Sequence, residues 1–348
     1  MIQKYILFLL SLPLLVHGSE ICCNMDDFEY FANASYTYWY VQEDGLNIAE
    51  SAIAAPGGQT YLATNAEVLK QSFSYCPGFQ VELGFTKDNW GLSTQYTWVR
   101  ANNSTNKAAP TQDSILGTST WSIDDWFLQT TLQGQSLTGP EIHSKSRLEI
   151  DMLNLLATNR IYRCEAFDVT GSIGLCAVWI RQRMSIFLTQ DPSSVGSAFL
   201  PPQPIESSNR SHAWGVGPQI GLATKYSLPQ CFRIEGGIAC SLLYTQFSDV
   251  FHHEDAASLL NVSSSGNTLK LGAYQSVEPI LQLCLGLGWN SSTLCDCFRF
   301  DVLVGYDFTL FWNQNRMRGM LDQAWAGIDS AVGDLSLQGL TVKVSVGF

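Results

Sequence analysis

The feature that most limits this chain is a two-residue alternation of apolar and polar side chains, repeated along its length. From Val277 the odd positions read Val277, Pro279, Leu281, Leu283, Leu285, Leu287 and Trp289. The even positions between them are Glu278, Ile280, Gln282, Cys284, Gly286 and Gly288. After a turn-like stretch at 290–297 the pattern resumes as Phe298, Phe300, Val302, Val304, Tyr306, Phe308, Leu310 and Trp312, interleaved with Arg299, Asp301, Asp307 and Thr309. Successive side chains of a strand point to opposite faces, so each segment is a ribbon with one apolar and one mainly polar side. Aromatic residues close the ends of the apolar sides, as they do at the two interfaces of a bilayer. A tilted strand crosses the hydrocarbon in roughly nine to eleven residues. Both runs reach that length.

Fainter copies of the pattern occur throughout. Phe79, Val81, Leu83 and Phe85 lead through a turn at 87–89 to Trp90, Leu92, Tyr96 and Trp98. Leu148, Ile150 and Met152 alternate with Arg147, Glu149 and Asp151, and Phe167, Val169, Ile173, Leu175 and Trp179 follow. Trp214, Val216, Ile220 and Leu222 precede a turn at 227–231, after which come Phe232, Ile234, Ile238, Leu242 and Tyr244. The chain ends on Leu340, Val342, Val344, Val346 and Phe348. An amphipathic last strand with Val344, Val346 and a final Phe348 has the form of a barrel-insertion signal.

Composition agrees. Charged residues are 14%, well below the ~25% of a soluble domain, and aromatic residues reach 12%. No segment after the N-terminus holds eighteen uninterrupted apolar residues, which excludes transmembrane helices. The expected fold is therefore all-β: a transmembrane, antiparallel, up-and-down β-barrel of ten to fourteen strands. Its short turns fall near 87–89, 158–163, 227–231 and 290–297. Its long external loops fall at 45–66, 102–143, 190–211, 250–272 and 314–333, and the segment 119–133 could add a further strand pair.

Residues 1–18 read as a cleaved signal peptide, with Lys4 before a short apolar run and small residues at its end. Residues 19–348 then form the barrel, and the bacterial outer membrane is the expected location. Removing the leader leaves 18 basic residues against 31 acidic ones. Such an acidic chain lacks the basic footprint of a nucleic-acid binder. Lipid, lipopolysaccharide and the insertion machinery are the expected partners.

The segments Tyr36-Thr37-Tyr38-Trp39, Glu43-Asp44-Gly45-Leu46-Asn47, Pro77-Gly78-Phe79-Gln80-Val81, Trp214-Gly215-Val216-Gly217-Pro218, Ser241-Leu242-Leu243-Tyr244, Trp312-Asn313-Gln314-Asn315 and Gly333-Asp334-Leu335-Ser336-Leu337-Gln338-Gly339-Leu340 form a further pattern. In these segments the chain resembles the pore-forming, major-outer-membrane-protein-like family of Legionella and environmental Chlamydiae. Each motif is short, but together they run in order through most of the chain. The resemblance implies an outer-membrane barrel with porin activity and no catalytic residues. The ten cysteines look more chlamydial than Legionella-like, which suggests disulfide-linked envelope proteins as partners.

Strand parity nominates the side chains lining the lumen: Gln80, Glu82, Gln95, Arg147, Glu149, Asp151, Gln219, Lys225, Arg233, Glu235, Glu278, Gln282, Arg299, Asp301, Asp307 and Lys343. Such residues either line a water channel or pair across the interior and fill it, and ten strands leave little room. The expected function is a porin for small hydrophilic solutes. Its rival is a surface adhesin or disulfide-linked structural protein with a filled lumen. Cys22, Cys23, Cys164, Cys231, Cys295 and Cys297 fall at the N-terminus or near short turns, and are expected to gather on the periplasmic rim as disulfide candidates. Cys176, Cys240 and Cys284 read as small apolar fillers within strands.

No cofactor is implied. His252-His253-Glu254-Asp255 carries metal-binding residue types without supporting ligands, and a solvated loop is the plainer reading. Of the five histidines, His17 lies in the leader and the other four sit in no nucleophile motif, so an enzyme is not expected. Met317, Met320, Leu321, Trp325 and Ile328 recur at helical spacing. They predict a helix within 316–331, on the barrel rim or against its mouth.

Overall fold

The computed structural model describes residues 28–54, 60–62, 66–110, 118–123, 126, 138–189, 205–255, 267–291, 299–326 and 333–348. Ten long strands close into one antiparallel barrel. They are β1 (Phe28–Glu43), β5 (Tyr75–Lys87), β6 (Trp90–Ala108), β9 (Glu141–Arg163), β10 (Phe167–Thr189), β11 (Ile205–Ser227), β12 (Phe232–Asp255), β14 (Tyr274–Ser291), β15 (Arg299–Asn315) and β16 (Gly333–Gly347). Sequential neighbours pair throughout, and β1 closes the ring on β16 with Tyr36 opposite Val342 and Tyr38 opposite Leu340. Short strands β2 (Asn47–Ala54), β3 (Thr60–Leu62), β4 (Val68–Lys70), β7 (Thr118–Ser122) and β8 (Thr138–Gly139) make a second, small sheet. β13 (Asn267–Leu271) extends β12, and the helix α1 (Arg316–Ala326) follows β15.

Ten strands match the lower end of the expected range. The small sheet departs from expectation, because Thr118–Ser122 pairs with β2 from another loop instead of adding a barrel hairpin. The turn expected at 158–163 is strand to Arg163, with the reversal after it. Several supposed loops are strand as well: 102–108, 141–143, 205–211 and 250–255 extend the walls. The barrel is therefore tall on one side, where β9–β12 have 23 or 24 residues, and shorter opposite, where β16 has 15.

Lipid-facing parity explains the exterior of the lower wall. Ile173, Leu175, Ile220, Leu222, Ile238, Leu242, Leu285, Leu287, Val304 and Leu340 all point outward and are exposed. An inner aromatic row includes Phe28, Tyr30, Trp90, Phe167, Tyr226, Phe232, Trp289 and Phe348, and an outer row includes Tyr38, Tyr75, Trp98, Trp179, Trp214 and Tyr244. On β10 twelve residues separate Phe167 from Trp179. At ~3.3 Å per residue and ~45° of tilt, that is close to the ~25 Å apolar band of such barrels. Strand packing is tight enough to require glycine locally, since a Cβ on Gly174 would lie 1.9 Å from the Leu155 carbonyl oxygen.

Candidate functional site

The interior divides at Trp39. Its indole Nε1 donates to Thr341 Oγ1 at 3.1 Å, and the Thr341 hydroxyl donates to Asp307. Below this roof lies a polar cavity of about 260 Å³. Gln80, Glu82, Gln95, Gln219, Glu235, Gln282, Asp307 and Lys343 line it, joined by Asn33 and Asn154. Amides bridge neighbouring and opposing strands: Gln219 donates to Gln282 at 2.8 Å, Asn154 to Gln95 at 3.1 Å, and Asn33 to Glu82 at 2.8 Å.

At the inner mouth the charges pair. Arg233 contacts Glu235 at 2.6 Å and Asp301 at 3.0 Å, while Lys225 and Lys343 approach Glu235 at 3.6 and 3.7 Å. Arg299 lies out on the rim with Glu29, 2.9 Å away. These groups neutralise one another locally, so they do not present a ring of one sign to a passing ion.

Above Trp39 a large apolar cluster occupies the interior, with buried polar side chains such as Ser146, Gln182, Asn209 and His252 beside it. Every barrel strand sends at least one buried residue inward: Trp39, Cys76, Val99, Ile150, Val178, Ile205, Leu243, Ile280, Phe311 and Leu335, none more than 6% exposed. Loop residues Leu46, Ile48, Leu69, Phe73, Trp121, Ile123 and Trp126, with Met317 and Leu321 of α1, complete this core. The expected helix thus packs into the mouth. Arg316 anchors its start, pairing with Glu278 at 2.7 Å and lying over the rings of Phe247 and Tyr274. Glu278, expected to face lumen water, is 3% exposed beneath this helix.

Some of the polar groups buried in the core have partners, whereas Ser146 Oγ and Ser211 Oγ make no hydrogen bond among the described residues. Gln182 donates to Glu43 at 2.7 Å. Glu43 lies three residues beyond Tyr40 of the outer aromatic region, outside the bilayer. Burial pushes its carboxyl up to about 8, with Gln182 pulling the other way and Asp44 adding to the rise. His252 Nδ1 meets Asn209 at 2.8 Å, and His252 Nε2 is 3.4 Å from Glu254. Both are fully buried on β12, so the His-His-Glu-Asp segment is wall, contrary to the loop reading.

Three predicted lumen residues are on the wrong face. Arg147, Glu149 and Asp151 point outward, while Leu148, Ile150 and Met152 are buried inward. The reason is that this part of β9 stands above the hydrocarbon, where the outside is polar and the apolar core lies inside. Glu149 contacts Arg147 at 2.7 Å and Arg181 at 3.2 Å, and both carboxylate oxygens of Asp151 accept from Arg100 Nη2 at 2.9 and 2.8 Å.

Cys164 and Cys231 are exposed in turns at the inner end, whereas Cys22, Cys23, Cys295 and Cys297 lie outside the described residues. The filler reading holds for buried Cys176 but not for Cys240, exposed on the outer face, or Cys284, which lines the cavity. Val344 and Val346 occupy the outer face of β16, and the Phe348 ring stacks on Tyr30 at 6.2 Å. Trp39 is a lining residue absent from the side chains that strand parity nominated. Its position opposite in phase to Tyr36, Tyr38 and Tyr40 was the available signal.

A closed antiparallel ring with an apolar waist, aromatic borders and a polar lower interior defines an outer-membrane β-barrel. The chain belongs to the family described as Legionella pneumophila major outer membrane protein precursor, which matches residues 25–348. Its place is the bacterial outer membrane. No curated protein matches its sequence. Among solved structures it is similar to the Escherichia coli outer membrane protease OmpT, at 8% identity and a TM-score of 0.38, covering 93% of this chain and 99% of that one. The translocator domain of the Neisseria meningitidis autotransporter NalP gives 12% identity and a TM-score of 0.34, covering 100% and 94%. A Pseudomonas aeruginosa FadL homologue gives 8% and 0.31, covering 93% and 90%. Likeness this remote says nothing about activity.

Proposed function

We propose that this protein is a surface-presenting envelope barrel, an adhesin or structural protein with a filled lumen, and not a passive porin or an enzyme. The observation that carries the reading is the apolar core above Trp39, to which all ten strands contribute. Side chains buried across the bore from every wall leave little room for a hydrated solute to pass. Long projecting strands give the external loops a rigid platform, which suits presentation at the cell surface.

The test is conductance. Full-length protein, folded and reconstituted in a planar bilayer, is expected to be silent at moderate voltage. Steady channels from the wild-type chain overturn the proposal.

A gated pore is the second reading, favoured by the polar cavity beneath the core and by the Arg316–Glu278 contact holding α1 in the mouth. Removing one partner leaves the other buried and uncompensated, typically costing about 3–5 kcal/mol. Under this reading Arg316→Ala opens intermittent channels in the same bilayer. If the variant stays folded and silent, the gate is excluded and the filled scaffold stands.

A further inference from the structure

The outer face of the tall wall carries a concentration of positive charge at odds with the rest of the chain. Adjacent strands β6, β9, β10 and β11 align Asn102, Arg147, Arg183 and Arg210 in one outward row. The row beneath holds Arg100, Glu149, Arg181 and His212, and the row above holds Ser104, Lys145, Ser185 and Ser208. Six Lys and Arg side chains gather here against Glu149 and the flanking Asp151 and Asp249. The whole protein has a formal charge of −12. Across the barrel, the outward residues beyond the aromatic row on β1 and β16 include Gln42, Ser336 and Asp334, with no Lys or Arg among them.

The position of the patch is as informative as its charge. Arg100 follows Trp98 by two residues, Arg181 follows Trp179 by two, and Arg183 by four; on β11, running the other way, His212 and Arg210 precede Trp214 by two and four. Those tryptophans mark the outer membrane interface. At ~3.3 Å per residue along strands tilted by ~45°, the arginines stand roughly 5–10 Å above it and Lys145, level with Ser104 and Ser185, roughly 14 Å above it, spanning the headgroup region.

Several cations are already held as they would be in a built site. Arg100 lies over the Trp98 ring and Arg210 over the Phe251 ring, 4.9 and 4.2 Å from the centroids. Arg183 and Lys145 have no ion-pair partner among the described residues. With Arg147, Asn102, Ser104 and Ser185 they line an open depression of about 460 Å³. Paired guanidinium forks and hydroxyls are the chemistry that recognises phosphate.

We infer that this depression binds the phosphorylated headgroup of lipopolysaccharide in the outer leaflet, with Lys145, Arg147 and Arg183 as its phosphate contacts. The inference is independent of whether the interior conducts. Its occupant is a lipid, because the site opens sideways just above the apolar belt, where a lipid's own acyl chains would lie against the barrel wall.

Binding of purified full-length protein in detergent to bisphosphorylated lipopolysaccharide tests it, with dephosphorylated lipopolysaccharide and phosphatidylglycerol micelles as comparisons. The Lys145→Gln/Arg147→Gln/Arg183→Gln variant is expected to lose at least tenfold in affinity, while Arg299→Gln at the inner rim binds as wild type. Electrophoretic heat-modifiability reports folding, and Arg183→Gln alone, expected to lose a few-fold, serves if the triple variant does not fold. Equal binding by the folded variants overturns the proposal. So does equal affinity for the phosphate-free lipid, which would indicate acyl contacts alone, or for phosphatidylglycerol, which would indicate a general anionic surface.

Discussion

Below Trp39 and above it, the same strands follow opposite rules. In the lower half of β10, Ile173 and Leu175 face lipid while Thr170 and Ser172 face the interior. In the upper half, Arg181 and Arg183 face outward while Ile180, Met184 and Ile186 are buried inside. β9 does the same, with Leu153 and Leu155 outside and Asn154 inside below, then Asp151 and Glu149 outside and Met152 and Ile150 inside above. No bulge accompanies the switch on β9, whose register irregularity lies near its other end. The backbone is continuous and only the solvent changes. Where the surroundings are hydrocarbon the wall is apolar outward; where they are water it becomes an ordinary soluble β-structure folded around a core. The difference teaches that the chain is half membrane protein and half water-soluble domain, built from one set of strands.

The largest expected effect comes from placing the same charge on two sides of that boundary. Ile150→Arg buries an unpaired guanidinium in the upper core, a change in the class that costs 3–5 kcal/mol or more, so the folded, heat-modifiable form is expected to be lost. Leu153→Arg, three residues away, faces lipid near its outer edge, where the penalty falls from ~2–4 kcal/mol at mid-depth toward zero at the interface. Urea unfolding in lipid vesicles measures both. If Ile150→Arg is the milder variant, the upper wall is lipid-facing after all and the contrast between the halves collapses.

A smaller effect sharpens the description of the upper half as a desolvated core. A carboxyl raised from 4.5 to about 8 when folded contributes stability that is fully present below the unfolded value and is lost as pH rises toward the folded one. Wild type is therefore expected to weaken between pH 4.5 and 8. Glu43→Gln removes that dependence, because the amide keeps the shape but has no proton to lose. Its advantage over wild type should be near zero at pH 4, grow by roughly 1 kcal/mol per pH unit, and level off above pH 8. Parallel stability curves for the two proteins between pH 4 and 8 would show Glu43 to be hydrated.

The fold was largely legible because lipid enforces alternation on every spanning strand, and the parity of β5, β10, β11, β12, β14 and β16 follows from it. The failures share a physical origin. Arg147, Glu149 and Asp151 were assigned inward by assuming that an apolar stripe always faces lipid. The adjacent pair Met152–Leu153, two apolar residues in succession within an alternating run, is where the stripe changes face, and it was the visible mark of the boundary. Glu278 had the right parity, but its burial depends on Arg316 arriving from a helix some forty positions away. The small sheet was illegible for a similar reason, since β2 and β7 belong to different loops and neither segment carries the other's register. Cys284 was read as an apolar filler because it sits among leucines, yet its alternate position places it over the cavity.

The smallest expected effect is also the one that separates stability from recognition. Arg183 stands exposed with no ion-pair partner among the described residues, so it does little to hold the fold. Surface substitutions of this kind usually stay within ±0.5 kcal/mol, and Arg183→Gln should leave the unfolding midpoint in urea unchanged within that range. A partly buried lower-half cation behaves differently: Arg233 holds both Glu235 and Asp301, and Arg233→Gln leaves two acids with weaker compensation. Equal losses from the two substitutions would mean that the outer row is structural, bracing β9, β10 and β11 against one another. A loss confined to Arg233 would mean that arginines inside the barrel maintain it while those outside are free to hold something else.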